Sequence, residues 1–264
     1  MSETTNLVEY SVANRIATIT LNRPEKLNAF SDELVMALGD ALRRFDTDQE
    51  AWTAIIHGKG RAFSTGADVL QRQLRSREEF ERLGGPQAHG AHASDLLINA
   101  VNWKPVIAAA HGYVMGLAFG IMLACDLVVA EEGTKIQLTE TSRGLGGAQY
   151  WAMMQFRNGG AFATEMALTG RFFSADEALE ARLINRVAPK GKHLDVAREL
   201  ASEINLNPPL SVRATVRTRR WYLSQLIRET AMQSQPLKLY LSEDFGEAAQ
   251  AFKEKRKPRA FKGR

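Results

Sequence analysis

The segment PVIAAAHGYVMGLAFGIMLACDLVVA, residues 105–130, decides the fold that we predict for this chain. Its first part, Pro105–Ala110, is apolar and typical of a buried strand. The glycines of His111–Gly116 then turn the chain into an apolar helix that ends near Ala124, and Leu127–Ala130 is a second buried strand. Two strands joined by a helix predict a right-handed crossover, the repeating unit of an α/β domain.

The sequence on the N-terminal side predicts more strands and a helix. Val8–Leu21 is typical of a β-hairpin because β-branched and apolar residues alternate along both halves, and Trp52–His57 is typical of a buried strand. Ser31 fits the N-cap of a helix between them. The segment from about Gln71 to Ala93 is charged and then rich in Gly, Ala and His, so we expect an exposed, mobile excursion there.

On the C-terminal side, Lys135–Leu138 predicts a short strand, and the chain from about Ala148 onward is mostly helical. The helix candidates are Ala161–Leu168, Ala175–Ala181, His193–Ile204, Pro209–Arg228 and Ser242–Lys255. A shift in composition near residues 190–200 predicts a core domain over residues 1–195 and a helical region over residues 196–264.

Composition places the chain among ordinary globular proteins. Its 264 residues predict one large domain or one domain with an extension, and 45% hydrophobic with 24% charged residues excludes a disordered chain. The net charge of +4 fits a protein with a few basic surfaces, and it also fits a polyanionic ligand such as a nucleotide or a phosphorylated cofactor. Composition does not choose between them.

Cysteine content and the N-terminus bear on location. Cys125 is the single cysteine and lies in an apolar run, which predicts a buried structural thiol in a reducing compartment. The first residues, MSETTNLVEY, lack the basic and apolar regions of a secretory signal, and no apolar stretch approaches the ~20 residues of a membrane span. We therefore expect a soluble, cytoplasmic protein.

Arg61–Asp68 is the first of three segments that could carry chemistry. Its small residues let backbone approach a ligand, and a turn leaves N–H groups unpaired, so it fits an anion or oxyanion site as well as an ordinary turn. A nucleophilic role for Ser64 is disfavoured because the G-x-S-x-G pattern is absent and no His–Asp pair can be assigned to it.

His111–Gly120 is the second segment. The free N–H groups at the start of its helix are natural oxyanion donors. Gly116 and Gly120 lie four residues apart on one helix face, which equally permits close helix packing.

Thr139–Gly147 is the third segment. Glu140, held against apolar walls, could have the raised pKa of a general acid/base, and it could equally be a surface glutamate paired with Arg143. Gly144–Gly147 matches the dinucleotide fingerprint poorly, so we predict no such site.

Other polar and aromatic residues are weaker candidates. His89 and His92 lie three residues apart, but no third ligand is near, so we predict solvated histidines and no metal site. Tyr150 and Trp151 are predicted to pack or to line a pocket rather than to act as acids.

Six segments together resemble the successive signatures of the crotonase superfamily, the enoyl-CoA hydratase/isomerase family, in the order and spacing of that family. They are Asn22–Phe30 (NRPEKLNAF), Ala62–Val69 (AFSTGADV), Pro105–Gly116 (PVIAAAHGYVMG), Ala124–Ala130 (ACDLVVA), Ala167–Ala178 (ALTGRFFSADEA) and Ala251–Pro258 (AFKEKRKP). The resemblance implies an α/β fold of the ClpP/crotonase type. A spiral of ββα units would form the acyl-CoA-binding core over residues 1–195, and residues 196–264 would form a helical trimerisation region.

The resemblance also implies the partners and the chemistry. A CoA thioester is the expected substrate, with coenzyme A entering as part of it and no separate cofactor. A homotrimer or a dimer of trimers is expected, without nucleic acid or membrane partners. The expected activity is that of an enoyl-CoA hydratase/isomerase-type lyase or isomerase.

Site residues follow from the same resemblance. The N–H groups of Ala67 and Leu117 would form the oxyanion hole, and Glu140 would be the general acid/base. Phe252 would stack on adenine, within its own or a neighbouring subunit, and Lys255 would approach a phosphate. The full set of implied substrate- and CoA-binding positions is Lys26, Leu27, Ala29, Ala62, Thr65, Gly66, Asp68, Val69, Tyr113, Gly116, Gly120, Phe252 and Lys255.

The sequence departs from the family pattern in three places. Gly120 stands where two-glutamate hydratases carry their earlier glutamate, Gly116-Leu117-Ala118 replaces three glycines, and Gly144–Gly147 lacks the usual proline. A single glutamate suits a shift of the C=C bond, and water addition, hydratase–lyase and acyl-CoA hydrolase chemistry stay open. The missing side chain at Gly120 predicts room for a bulkier acyl group.

A non-catalytic or RNA-binding relative is the remaining alternative. It requires the basic residues of Val212–Arg220 to form one exposed stripe with aromatic neighbours. We expect them instead on the outer face of a trimerisation helix.

Overall fold

A six-stranded sheet lies at the centre of the structure, a computed structural model that describes residues 6–86, 97 and 103–264. Its order is β1-β2-β3-β4-β6-β9, and all pairs except β1–β2 are parallel, while a smaller sheet has the order β5-β7-β8. The strands are β1 Val8–Ala13, β2 Ile16–Leu21, β3 Thr53–Gly58, β4 Val106–Ala110, β5 Tyr113–Met115, β6 Leu127–Glu131, β7 Lys135–Gln137, β8 Phe172–Ser174 and β9 Arg186–Ala188.

Helices cover both faces of the large sheet, so its strands are apolar on both sides. The helices are α1 Asp32–Thr47, α2 Val69–Arg72, α3 Arg77–Leu83, α4 Leu117–Ala124, α5 Ala148–Phe156, α6 Gly160–Thr169, α7 Ala175–Glu180, α8 His193–Asn205, α9 Pro209–Ser234 and α10 Glu243–Lys253. On one face Ile55, Ile107 and Val129 pack with Ala197 and Ala201 of α8. The alternate residues of the same strands face α1 and α4.

The predicted hairpin, the strands of the 105–130 segment and the helix after Ser31 are confirmed. The Ser31 hydroxyl accepts a hydrogen bond from the Leu34 N–H at 3.2 Å, which caps α1. Between β4 and α4 the chain forms the short strand β5 rather than a simple turn. Because β3 and β4 are parallel neighbours, their carboxyl ends meet at one edge of the sheet, where ligands bind in such folds.

The prediction of an exposed, mobile excursion from Gln71 is wrong for the residues up to 86. This stretch includes the end of α2 and the whole of α3, which begins at the N-cap Ser76. Phe80 is buried, with its ring centroid 5.5 Å from that of Phe245. The charged residues of this stretch lie on the outer face of a helix, where Arg77 and Glu81 form an ion pair of 3.1 Å. A high content of charged residues is therefore as typical of an exposed helix face as of a loop. His89 and His92 lie outside the described residues.

The chain from Ala148 onward is mostly helical, as predicted, but two short strands interrupt it. β8 pairs antiparallel with β7, and β9 joins the large sheet beside β6. Each has only three residues, too few for an alternating pattern to be read from the sequence. The predicted boundary after residue 195 falls within α8 and stays a prediction.

Two further predictions concern the thiol of Cys125 and membrane-spanning helices. Cys125 is fully buried, and burial raises the pKa of its thiol to about 12, so the predicted structural thiol is confirmed. No helix of the described residues is long and apolar enough to cross a membrane.

Candidate active site

The loop after β3 leaves the N–H of Ala67 free for a ligand. Phe30 bonds to both neighbours of Ala67: its N–H donates to the Gly66 carbonyl at 2.7 Å, and its carbonyl accepts from the Asp68 N–H at 2.9 Å. Successive peptide groups of an extended chain point in opposite directions, so the Ala67 N–H points away from Phe30. It has no backbone acceptor among the described residues.

Asn28 and Ser64 hold this loop in place. The Asn28 amide donates to the carbonyls of Lys59 at 3.0 Å and Ala62 at 2.9 Å. The Ser64 hydroxyl donates to the Asn28 carbonyl at 2.7 Å and is buried. Ser64 is therefore a structural residue, as its sequence context predicts, and Asn28 is a positioning residue that the sequence analysis missed.

The second N–H group lies at the start of α4. Leu117 is the first residue of this helix, so its N–H has no acceptor within the helix, and it has no backbone acceptor elsewhere in the described part of the chain. Gly116 precedes it with φ of +50°, a conformation that favours glycine. A Cβ atom placed on Gly66 would lie 3.4 Å from the Leu117 nitrogen, so the two predicted oxyanion segments are adjacent.

The Glu140 carboxylate lies against the same helix start. A Cβ atom on Gly116 would lie 3.2 Å from Oε1 of Glu140. Glu140 is partly exposed as a residue, but its Oε2 atom is buried and has no hydrogen-bond partner in the described part of the chain. Burial raises the pKa of Glu140 to about 7, against the opposing effects of nearby N–H groups, the Thr139 hydroxyl and Arg143. Such a carboxylate can both accept and donate a proton near neutral pH.

Arg143 is not in an ion pair with Glu140 among the described residues. Its guanidinium carbon lies 4.2 Å from the ring centroid of Phe252 instead. The arrangement therefore favours the acid/base interpretation of Glu140 over a surface ion pair. Phe252 belongs to α10, which packs against the turn after Glu140, so one face of this ring is covered by its own chain.

The prediction of empty space beside Gly120 is wrong. A Cβ atom on Gly120 would lie 2.5 Å from Cε1, 2.9 Å from Cζ and 3.1 Å from the hydroxyl oxygen of Tyr150. The ring of Tyr150 therefore takes the volume that a side chain at position 120 would need. The sequence does not show this contact, because the two residues lie 30 positions apart and no periodic pattern connects them.

The implied CoA-binding positions near the N-terminus lie beside the Ala67 loop. The Thr65 N–H donates to the Leu27 carbonyl at 3.1 Å, and Lys26 precedes Leu27 at an exposed position. Arg23 connects the two segments, because its Nη1 donates to the Ala29 carbonyl and to the Asp68 carboxylate, both at 2.8 Å. The Asp68 side chain is therefore engaged in holding this loop.

The other implied binding positions surround this centre. Ala62 is fully buried, Val69 opens α2, and the Tyr113 carbonyl accepts from the Ser64 N–H at 3.1 Å while its side chain is partly exposed. Lys255 follows α10 at an exposed position. The roles of these residues toward a ligand stay predictions.

The basic residues of Val212–Arg220 do not form one exposed stripe, and the expectation that all decorate an outer helix face is wrong. Arg220 is buried and Arg219 is half-buried, and both form ion pairs with Asp126, at 2.6 and 3.2 Å. Arg217 lies over the ring of Trp103. In the described part of the chain, no group of three or more His, Cys, Asp or Glu residues could hold a metal ion.

Comparisons with known proteins show the family to which the chain belongs. A family model described as enoyl-CoA hydratase/isomerase matches residues 11–264. The (E)-benzylidenesuccinyl-CoA hydratase of Thauera aromatica is 34% identical over 97% of this chain and 99% of its own length. The 2,3-dehydroadipyl-CoA hydratase of Escherichia coli (strain K12) is 31% identical over 95% of this chain and 96% of its own.

Solved structures show the same fold. The crystal structure of carnitinyl-CoA hydratase from Mycobacterium avium matches with a TM-score of 0.82 and 30% identity, covering 99% of this chain and 100% of that chain. An α/β core with a helical C-terminal region is thus shared over the whole length. The chain therefore belongs to the enoyl-CoA hydratase/isomerase family of the crotonase superfamily.

Proposed function

We propose that this enzyme acts on an unsaturated acyl-CoA thioester through an enolate, with Glu140 as its single carboxylate acid/base. The thioester oxygen would lie between the N–H groups of Ala67 and Leu117. The observation that carries the proposal is the buried Oε2 of Glu140, which has no hydrogen-bond partner among the residues that the structure describes and lies beside the helix start that would supply one of these donors. Donors fixed in advance around a developing oxyanion are commonly worth about 10²–10³ in rate each.

The pKa of Glu140 suits both the removal of a proton and its return. With a pKa of about 7, the ionised form can take a proton and the neutral form can return it near neutral pH. The proton would move between Glu140 and Cα of the acyl group, while the electron pair passes through the enolate oxygen.

Addition of water to the C=C bond is the reaction that we propose first. The relatives described above are named as hydratases of benzylidenesuccinyl-CoA, dehydroadipyl-CoA and carnitinyl-CoA. A shift of the C=C bond needs the same residues without water and is the second candidate. Acyl-CoA hydrolase and hydratase–lyase chemistry are less favoured, since the first must break the thioester C–S bond and the second a C–C bond.

Product analysis by mass spectrometry tests the proposal. Crotonyl-CoA, a 3-enoyl-CoA and an aromatic enoyl-CoA would be incubated with the wild type, with Glu140→Gln and with Glu180→Gln, an exposed glutamate of α7. We expect turnover that is retained in Glu180→Gln and lost in Glu140→Gln. A gain of water, an unchanged mass with a moved C=C bond, or free CoA would name the reaction. Full turnover by Glu140→Gln would refute the proposed role.

We further propose that Phe252 and Lys255 contact the adenine and a phosphate of CoA. Phe252 is 46% exposed, and its ring already carries Arg143 on one face, so a base could stack on the other.

The predicted cytoplasmic location stays a prediction.

A homotrimer, alone or paired, is the proposed assembly. α9 exposes Trp221 (56%) and Tyr222 (58%) side by side, together with Leu210 and Met232. Large apolar side chains grouped on one surface are typical of interfaces. Light scattering after size exclusion should give about three or six times the 29.3 kDa chain mass, and a monomer would contradict it.

A further inference from the structure

A phenol takes the place where a second carboxylate would stand. The hydroxyl oxygen of Tyr150 lies 3.1 Å from the point that a Cβ atom of residue 120 would occupy. Tyr150 lies in the first turn of α5, and its ring meets the ring of Phe119 edge-on at 6.3 Å between centroids. The phenol is therefore built into the wall formed by α4.

This phenol and the Glu140 carboxylate both lie against the N-terminal part of α4 and its N-cap. Gly116 and Gly120 are one helical turn apart, and Glu140 Oε1 lies 3.2 Å from the Cβ position of Gly116. The Cα atoms of residues one helical turn apart are about 6 Å from each other, so two oxygens that each lie about 3 Å from the Cβ positions of Gly116 and Gly120 are at most roughly 15 Å apart. Both oxygens thus border the space next to the oxyanion donor Leu117.

The chemistry of a phenol suits it to hold water. Its oxygen can donate one hydrogen bond and accept two, so it retains capacity for a water molecule beside another contact. Arg72 lies within electrostatic range of Tyr150, and its Nε atom forms an ion pair of 3.4 Å with Asp32.

We propose that the Tyr150 hydroxyl holds the attacking water, so that one carboxylate suffices for hydration. This inference rests on the proposed acid/base role of Glu140. Tyr150 would act on water alone and would not be needed to move a proton to or from Cα.

The steps balance with a single acid/base. Glu140 takes a proton from the held water, the water oxygen forms a bond to Cβ, and the C=C electron pair moves to the thioester oxygen as an enolate. The enolate pair then returns to Cα and takes the same proton from Glu140. The net change is the addition of one water molecule, and both Glu140 and Tyr150 are regenerated.

Separating hydration from proton transfer tests the inference. Hydration would be measured with the unsaturated acyl-CoA that the wild type hydrates fastest among crotonyl-CoA and longer or aromatic enoyl-CoAs. Proton transfer would be measured with a 3-enoyl-CoA, either as its isomerisation or as exchange of its Cα hydrogens for deuterium in D₂O. For Tyr150→Phe we expect roughly a 10²-fold loss in kcat/KM of hydration, with proton transfer changed less than about threefold.

The controls separate this inference from the proposed function. Tyr240→Phe removes a phenol that lies beside Phe80, and it should leave both rates unchanged. Glu140→Gln should lose both rates. Equal losses of both rates in Tyr150→Phe, or unchanged hydration, would overturn the inference while Glu140 keeps its role. A wild type that transfers protons without hydrating any probe would also overturn it, whereas no proton transfer at all would overturn the proposed function itself.

Discussion

At the scale of single residues, the site depends on a carboxylate that the fold keeps partly uncharged. Burial raises the pKa of Glu140 to about 7, above its ordinary value of 4.5. The folded state therefore binds more protons than the unfolded state between these two values, and stability falls as pH rises through this window. The ionised carboxylate that the proposed reaction needs is destabilising for the fold.

This linkage predicts that Glu140→Gln is more stable than the wild type at pH 8. The substitution removes the cost of burying an ionised carboxylate, which is at most roughly 3 kcal/mol. The free energies of unfolding of the two proteins should therefore approach each other near pH 4.5. Thermal unfolding at pH 5 and pH 8 would measure it. A variant whose melting temperature follows that of the wild type at both values would show that Glu140 is not held in a desolvated site.

Gly116 connects the backbone conformation of the site to the position of Glu140. Its φ is +50°, and a Cβ atom would collide with the Thr139 hydroxyl and lie 3.2 Å from Glu140. Gly133, with φ of +77° and open space around it, is a matched control. We expect Gly133→Ala to cost about 1–2 kcal/mol through backbone strain alone. Gly116→Ala should cost more and also abolish turnover, and equal effects in both variants would contradict this account.

At the scale of elements, the edge where β3 and β4 end brings the two N–H donors together. The resemblance to the crotonase superfamily predicted the pairing of Ala67 with Leu117, whereas the apolar runs Trp52–His57 and Pro105–Ala110 predicted only the strands that lead to them. The packing of α5 on α4 was not predictable, since it brings Tyr150 onto Gly120 from a separate segment. The sequence therefore indicated a missing carboxylate but not the side chain that fills its space.

The contact between α4 and α5 predicts how position 120 responds to substitution. Gly120→Glu should lose activity, because its Cβ atom would lie 2.5 Å from the Tyr150 ring. The double variant with Tyr150→Ala makes room for the new carboxylate and should regain part of the hydration rate. Kinetics of both variants on one enoyl-CoA would test this. Full activity of Gly120→Glu alone would show that Tyr150 moves freely and does not define this wall.

At the scale of the whole molecule, a buried ion pair fastens the long helix α9 to the sheet. Asp126 accepts from Arg220 at 2.6 Å, from Arg219 at 3.2 Å and from the Val106 N–H at 2.8 Å. The sequence showed these arginines only as part of a basic run, because their partner lies about 90 positions away. Distant pairings of this kind, like the entry of β9 into the large sheet, leave no local pattern.

Removing one partner of this ion pair should destabilise the whole chain. We expect Asp126→Asn to lower the free energy of unfolding by roughly 3–5 kcal/mol, since buried guanidinium groups lose their counter-charge. Asp195→Asn breaks an exposed pair with Lys192 at 3.1 Å and should cost at most about 1 kcal/mol. Urea denaturation of both variants would measure the difference, and equal midpoints would show that the Asp126 pairs do not anchor α9.

The most direct test of the central claim is the fate of Cα hydrogen during turnover in D₂O. Mass spectrometry of the product would be compared for the wild type and Glu140→Gln, with CoA-ester binding measured for both by calorimetry. Proton transfer through Glu140 predicts one deuterium at Cα with the wild type. It predicts none with Glu140→Gln, although this variant still binds the thioester. Deuterium incorporation by Glu140→Gln at the wild-type rate would show that another group moves the proton and would contradict the account.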